Sequence, residues 1–264
     1  MSSDRMPAVF FGHGSPMNAL AGPYIQTWQT LGAALPQPRA ILMISAHWYV
    51  PELAVTAQQA PPTIHDFHGF PAELYQIQYP VPGDEWLVER VMSLLRPLEV
   101  RPAQDWGIDH GAWSVLRHVY PAATVPVVQL SIDRTQRPEF HYELGRRLTV
   151  LRDEGVLLAG SGDVVHNLRL LRRDGSNEPY DWALRFQAKV KAAIVSRRHA
   201  ELLDWRALGE DAVLSIPSED HWLPLLYVLG AQRDADVVTL FGDAIELGSI
   251  SMLGCVLDAR RHSV

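Results

Sequence analysis

Ala40-Ile41-Leu42-Met43-Ile44-Ser45-Ala46-His47-Trp48 decides the fold, because five apolar residues in unbroken succession run into a serine, a small residue and then a histidine. A strand that shows one face to water alternates apolar with polar side chains, whereas one covered on both faces is apolar throughout. The run from Ala40 to Ser45 is of the second kind. Similar β-prone runs recur at Ala8 to Phe11, Leu53 to Thr56, Val125 to Ile132, Val156 to Gly160, Val237 to Leu240 and Ile250 to Leu257. Helical spacing fills the intervals. Leu87, Val91, Leu94 and Leu95 share one face, as do Phe140, Leu144, Leu148 and Leu151, and Trp182, Phe186, Val190 and Ile194. This alternation predicts an α/β fold with a single domain over 1–264, in which a mostly parallel central sheet is flanked by helices on both faces.

The chain has 264 residues, 47% hydrophobic and 20% charged, with a net charge of -7 and no internal repeat. These proportions describe a globular protein with a large core. No basic stripe is available for a phosphate backbone, so nucleic acid is not an expected partner. No apolar run approaches the ~20 residues that span a bilayer, and Met1–Met6 is too short and polar for a signal peptide. A lone Cys255 rules out an intrachain disulfide and fits a reducing cytoplasm. Any metal here must be held by histidine and carboxylate.

Four histidines sit beside the apolar runs: His13 in Gly12-His13-Gly14-Ser15, His47 in Ser45-Ala46-His47-Trp48, His166 in Asp163-Val164-Val165-His166-Asn167, and His221 in Glu219-Asp220-His221-Trp222. In open α/β sheets, ligands bind beyond the carboxyl ends of the strands, so histidines at several strand ends converge although distant in sequence. Neutral imidazole is a ligand for zinc and ferrous iron. Gly12-His13-Gly14-Ser15 lacks the lysine and the glycine spacing of a phosphate-binding loop.

Asp109 is placed to cap a helix opening at His110, with Ala112, Val115, Leu116 and Val119 on its buried face. The helix N-terminus keeps the His110 ring neutral and able to donate to a substrate oxygen. His118 and His141 fall on helical positions expected to face solvent, and His199 and His262 lie in polar surroundings. The His65/His68 pair is flanked by glycine and proline, which removes the helical geometry that a His-x-x-His metal site needs. Long loops are expected at Pro61 to Pro82 and Arg172 to Pro179; the first carries histidine and aromatic side chains and is either a lid or a proline-stiffened connection.

Gly12-His13-Gly14-Ser15-Pro16-Met17, Ser45-Ala46-His47-Trp48, Pro62-Thr63-Ile64-His65-Asp66-Phe67, Gly69-Phe70-Pro71, Asp109-His110-Gly111-Ala112-Trp113, Val164-Val165-His166-Asn167-Leu168 and His221-Trp222-Leu223-Pro224-Leu225 together resemble the 4,5-DOPA dioxygenase extradiol family, a branch of the class III extradiol ring-cleavage dioxygenases. The blocks occur in order from about residue 6 to the C-terminal strand. The resemblance implies a phosphorylase/hydrolase-like α/β fold, and metal held by His13, His47 and His221 with His166 beside them, either as a fourth ligand or as the acid/base. It implies a second catalytic role for His110, substrate contacts from His65, Trp48 and Phe67, with Phe70 as a further wall, and cleavage of a small catecholic aromatic such as L-DOPA by dioxygen. Ferrous iron is the implied cofactor for ring cleavage, and zinc competes for the same histidines. Glu219 is a nearby carboxylate candidate, and Pro217-Ser218-Glu219-Asp220-His221 lacks the second proline of the family's usual pattern. A zinc hydrolase on the same histidines and a non-catalytic metal-binding protein remain open beside the dioxygenase. A monomer or small homo-oligomer is expected.

Overall fold

The computed structural model describes residues 5–174 and 176–263. Met1 to Asp4, most of the stretch weighed as a signal peptide, and Gly175 in the second expected loop lie outside them.

The strands are β1 (Ala8–Gly12), β2 (Ala40–Val50), β3 (Ala54–Thr56), β4 (Arg101–Ala103), β5 (Val127–Asp133), β6 (Val156–Gly162), β7 (Val237–Phe241), β8 (Ile245–Glu246), β9 (Ile250–Ser251) and β10 (Gly254–Asp258). The helices are α1 (Ile25–Ala34), α2 (Ala72–Tyr75), α3 (Glu85–Leu94), α4 (His110–Val119), α5 (Pro138–Leu148), α6 (Asp181–Val195), α7 (His199–Leu203), α8 (Glu210–Ser215) and α9 (Leu223–Gly230). One sheet of eight strands runs β4-β3-β5-β2-β6-β1-β10-β7, and β8 and β9 form a separate pair. Its central strands β5, β2, β6 and β1 are parallel, as expected of runs apolar on both faces. β3 joins β5 antiparallel, and β10 joins both β1 and β7 antiparallel.

Each face of the sheet has its own core. Phe10, Leu42, Leu158, Leu144, Phe186 and the α9 leucines fill one, and Phe11, Ile41, Met43, Trp28, Trp113 and Leu116 fill the other. α9 reads Leu-Pro-Leu-Leu-Tyr-Val-Leu-Gly and is buried at every residue. It has no polar face, which is why helical periodicity does not reveal it. Beyond it, a buried ion pair closes the core near the chain ends. The Arg152 guanidinium donates to both carboxylate oxygens of Asp236 and to the carbonyls of Met6, Ala231 and Leu257.

Three expectations are corrected. The run Ile250 to Leu257 is not one strand: Ile250–Ser251 pairs with β8, Met252 and Leu253 turn, and only Gly254 onward enters the main sheet. His141 does not face water. It is fully buried with Nδ1 3.0 Å from the Tyr227 hydroxyl, because α5 and α9 pack so closely that a Cβ on Gly145 would lie 2.1 Å from the Tyr227 carbonyl oxygen. His118 is partly buried, stacks on Trp28 and donates from Nε2 to the Asn18 carbonyl.

Candidate metal centre

β2, β6 and β1 are adjacent and parallel, so their carboxyl ends deliver His47, His166 and His13 to one side of the sheet. His13 follows β1 directly. The strand exit demands glycine on both sides of it: a Cβ on Gly12 would lie 2.5 Å from the Met252 carbonyl carbon, and Gly14 has φ +61°. His47 sits in a bulge. The β2–β5 register pairs Ile44 with Leu130 and next Tyr49 with Ile132, which takes Ser45 to Trp48 out of the ladder and re-aims their side chains.

α4 begins at His110, and the expected cap is present: Asp109 Oδ1 accepts from the Ala112 amide. The same carboxylate accepts from Ser45 and Gln129, tying the helix start to β2 and β5. Gly111 lets α4 meet the β2 bulge, since a Cβ there would lie 2.5 Å from Ser45 Oγ and 2.8 Å from His47 Cδ2. His221 arrives from the turn before α9, and its carbonyl accepts from the Asp163 amide.

One arrangement recurs at four rings: Nδ1 is occupied by a neighbour, and Nε2 is left for the cavity. His13 Nδ1 lies 3.0 Å from Ser161 Oγ, whose own hydrogen goes to the Gly111 carbonyl, so His13 Nδ1 is the donor. His47 Nδ1 lies 3.1 Å from Asp66 Oδ2, and His110 Nδ1 lies 2.9 Å from Asp66 Oδ1. His221 Nδ1 lies 3.0 Å from Asp220 Oδ2. Partners of this kind fix tautomer and ring orientation in metal-binding histidines. His13 Nε2 and His47 Nε2 are 3.3 Å apart.

Among the described residues two groups have ligand atoms within 4.8 Å of one another, and His13 belongs to both: His13, His47 and His110 form one, and His13, Asp163 and His221 the other. The donor set suits a borderline divalent cation. Among the described residues Asp163 Oδ2 is buried without a hydrogen-bond partner, 3.7 Å from His13 Nε2, an orphaned acceptor of the kind a cation would satisfy. His166 belongs to neither group. It lies parallel to His221 with ring centroids 3.4 Å apart.

Burial, together with the facing His47, His221 and His110 rings, holds His13 well below its ordinary pKa. Burial likewise lowers His221 and His110, outweighing Asp220 and Asp66, and lowers His166 well below 6.5 with help from His221. At His47 burial is overcome by the Asp66 bond and nearby Asp109, and the pKa is raised. Asp66 and Asp220 stay far below the usual carboxylate range despite their burial, because the bonded histidines favour their ionised forms. With Nδ1–H directed at Asp66, neutral His110 has a lone pair on Nε2 and accepts a hydrogen bond there. This reverses the donor role expected of a ring at a helix N-terminus.

A cavity of about 670 Å³ opens over these rings, lined by His13, His47, His110, His166 and His221 together with Phe67, Phe70 and a rim that includes Leu168, Arg169 and Leu247. Phe67 meets His110 edge-on at 5.3 Å and Phe70 at 5.4 Å. Trp48 and His65 are not brought to it. Trp48 stacks on Trp106 at 5.6 Å, and His65 donates from Nε2 to the Ile77 carbonyl. Glu219 is turned away, accepting from Trp205 and Arg206. The segment from Pro61 to Pro82 is pinned down by Ile64 N to Ile108 O and by the Tyr79 hydroxyl on the carbonyls of Leu116 and Tyr120. It is therefore a fixed wall.

Sequence reasoning missed Asp66, Asp220 and Ser161 as ring anchors. Asp66 lies within Pro62-Thr63-Ile64-His65-Asp66-Phe67, but a loop without periodicity gives no direction for its side chain. Asp220, adjacent to a candidate ligand, offered the better signal.

The model of the catalytic LigB subunit of aromatic ring-opening dioxygenase matches residues 11–247. The chain is 48% identical over 258 residues to 4,5-DOPA dioxygenase extradiol of Escherichia coli (strain K12), covering 96% of this chain and 95% of that one. It is 33% identical over 263 residues to 4,5-DOPA dioxygenase extradiol of Beta vulgaris, covering 95% and 96%. A crystal structure of an uncharacterized protein from Escherichia coli K12 superposes with TM-score 0.82 at 43% identity, over 96% of this chain and 99% of that chain.

Proposed function

Because the chain belongs to the family of the catalytic LigB subunit of aromatic ring-opening dioxygenases, we propose that it opens catechol-type aromatics such as L-DOPA by extradiol cleavage, inserting both atoms of dioxygen into the product. The observation that carries this reading is the set of Nε2 atoms freed by anchored Nδ1 atoms beneath an aromatic-walled cavity. His13, His47 and His221 are the proposed ligands. Ferrous iron, if held by these three rings, would supply the redox chemistry toward dioxygen that ring cleavage needs. Zinc would be held by the same rings without redox chemistry.

His110 Nε2 accepts a hydrogen bond from a catechol hydroxyl, with Asp66 fixing the ring from behind. His166 has no hydrogen bond to its ring nitrogens among the described residues, and its low pKa keeps it neutral at pH 7. It takes the proton that a catechol loses on binding. Phe67 and Phe70 border the substrate ring and limit water. The whole chain, 1–264, serves as one catalytic unit, and its setting is cytoplasmic. No helix among the described residues is long and apolar enough to cross a membrane.

The test is to strip metal, reconstitute with ferrous iron without air, add L-DOPA and admit oxygen. A yellow ring-opened product with one dioxygen consumed per catechol is expected. Iron-loaded protein that leaves a catechol panel intact would overturn the proposal in favour of a zinc hydrolase or a binding protein.

A further inference from the structure

Arg169 is the one arginine or lysine among the described residues lining the cavity, and its guanidinium makes no ion pair or hydrogen bond among them. The two lining carboxylates differ in this respect, since Asp66 and Asp220 are each committed to histidine Nδ1 atoms. The backbone at Arg169 is firmly set. Its amide donates to Asn167 Oδ1, while Asn167 donates to the Leu214 carbonyl and its own carbonyl accepts from Ser249 Oγ. His166, stacked on His221, therefore stands three residues before an exposed cation at the rim. Between them the mouth is aliphatic: Leu168 is 51% exposed, Leu247 is 36% exposed, and Leu171 and Ile250 also line the wall. Apolar side chains left open beside an unpaired cation suit a ligand with a short apolar arm ending in an anion.

We propose that Arg169 is a specificity-determining residue that selects catechols whose side chain ends in a carboxylate, an inference that rests on the ring-cleavage reading above. The catechol oxygens occupy the histidine end, the alkyl arm crosses Leu168 and Leu247, and the carboxylate meets the guanidinium. Arginine suits this role because its planar fork matches both carboxylate oxygens.

Anaerobic titration calorimetry of the metal-loaded protein tests it without turnover, using 3,4-dihydroxyphenylpropionate, 4-methylcatechol and dopamine as probes. In Arg169→Gln, the affinity for the carboxylate relative to 4-methylcatechol is expected to fall by about fivefold, the upper range for an ion pair made by an exposed arginine. Arg169→Glu is expected to move the preference toward dopamine. A ratio that stays within about twofold in both variants would overturn the assignment of Arg169 while leaving ring cleavage standing. Wild-type protein that binds no catechol would overturn both. Binding of 4-methylcatechol in each variant reports that the site is intact, so loss of folding is not mistaken for loss of selectivity.

Discussion

His166 lies flat against His221, with ring planes inclined by only 8° and centroids 3.4 Å apart. Two imidazolium rings cannot share that stack, and burial already lowers both pKa values. His221 has its Nδ1 tied to Asp220, whereas the ring nitrogens of His166 have no hydrogen-bond partner among the described residues, the arrangement its proposed role as base calls for. His166→Gln is therefore expected to retain metal and lose about 10²- to 10⁴-fold in kcat, the usual contribution of a positioned base. Metal analysis beside steady-state kinetics checks this, and loss of metal would make His166 a ligand.

The ligand assignment separates by the same pair of measurements. His13→Ala and His47→Ala are expected to abolish metal retention, and His110→Ala to retain metal and lose turnover. Full metal content in either of the first two variants would remove that ring from the site.

Asp66 orients His47 and His110 together. Asp66→Asn retains the size of the side chain and removes its charge, and an outer partner of this kind is worth about 10- to 100-fold in metal affinity. Competitive titration against a chelator gives the number. Unchanged affinity would leave Asp66 no role in holding the ligands.

His141 supplies a pH dependence remote from the cavity. Burial lowers its pKa from 6.5 to about 4, so the unfolded chain binds a proton that the folded chain refuses. Its contribution is complete above pH 6.5 and is lost as pH falls toward 4, to a total of about 3 kcal/mol. The difference in unfolding free energy between wild type and His141→Gln is expected to narrow by that amount over the window. A constant difference would show that the His141 ring titrates normally.

Asp236→Asn leaves the Arg152 guanidinium buried without its counter-charge. Removing one partner of a buried pair costs about 3–5 kcal/mol, which urea unfolding would register as a lower midpoint.

The central sheet was legible because Ala40 to Ser45 and Val156 to Gly160 are apolar at every position, and the strand-end histidines were legible because a parallel sheet leaves them one side on which to meet. β4 was not, being Arg-Pro-Ala at the sheet edge, where a strand needs no apolar pattern and tolerates proline. Trp48 and His65 show a different limit. Both belong to motifs that converge on the cavity, yet the β2 bulge sends Trp48 to Trp106, and His65 spends its Nε2 on a carbonyl. Adjacency in sequence carries no side-chain direction outside regular structure. The anchoring of Nδ1 atoms by Asp66, Asp220 and Ser161 is likewise a three-dimensional fact, since Ser161 stands 148 residues from His13.

The contact of Gly12 with the backbone of Met252 and Leu253 bears on how the protein is made. β1 is made before its neighbours β6 and β10, which lie far downstream, and His221 follows more than two hundred residues after His13. A nascent chain therefore cannot close this cluster of histidines during most of its synthesis. If these rings hold a metal, its capture would have to follow synthesis of the chain through His221.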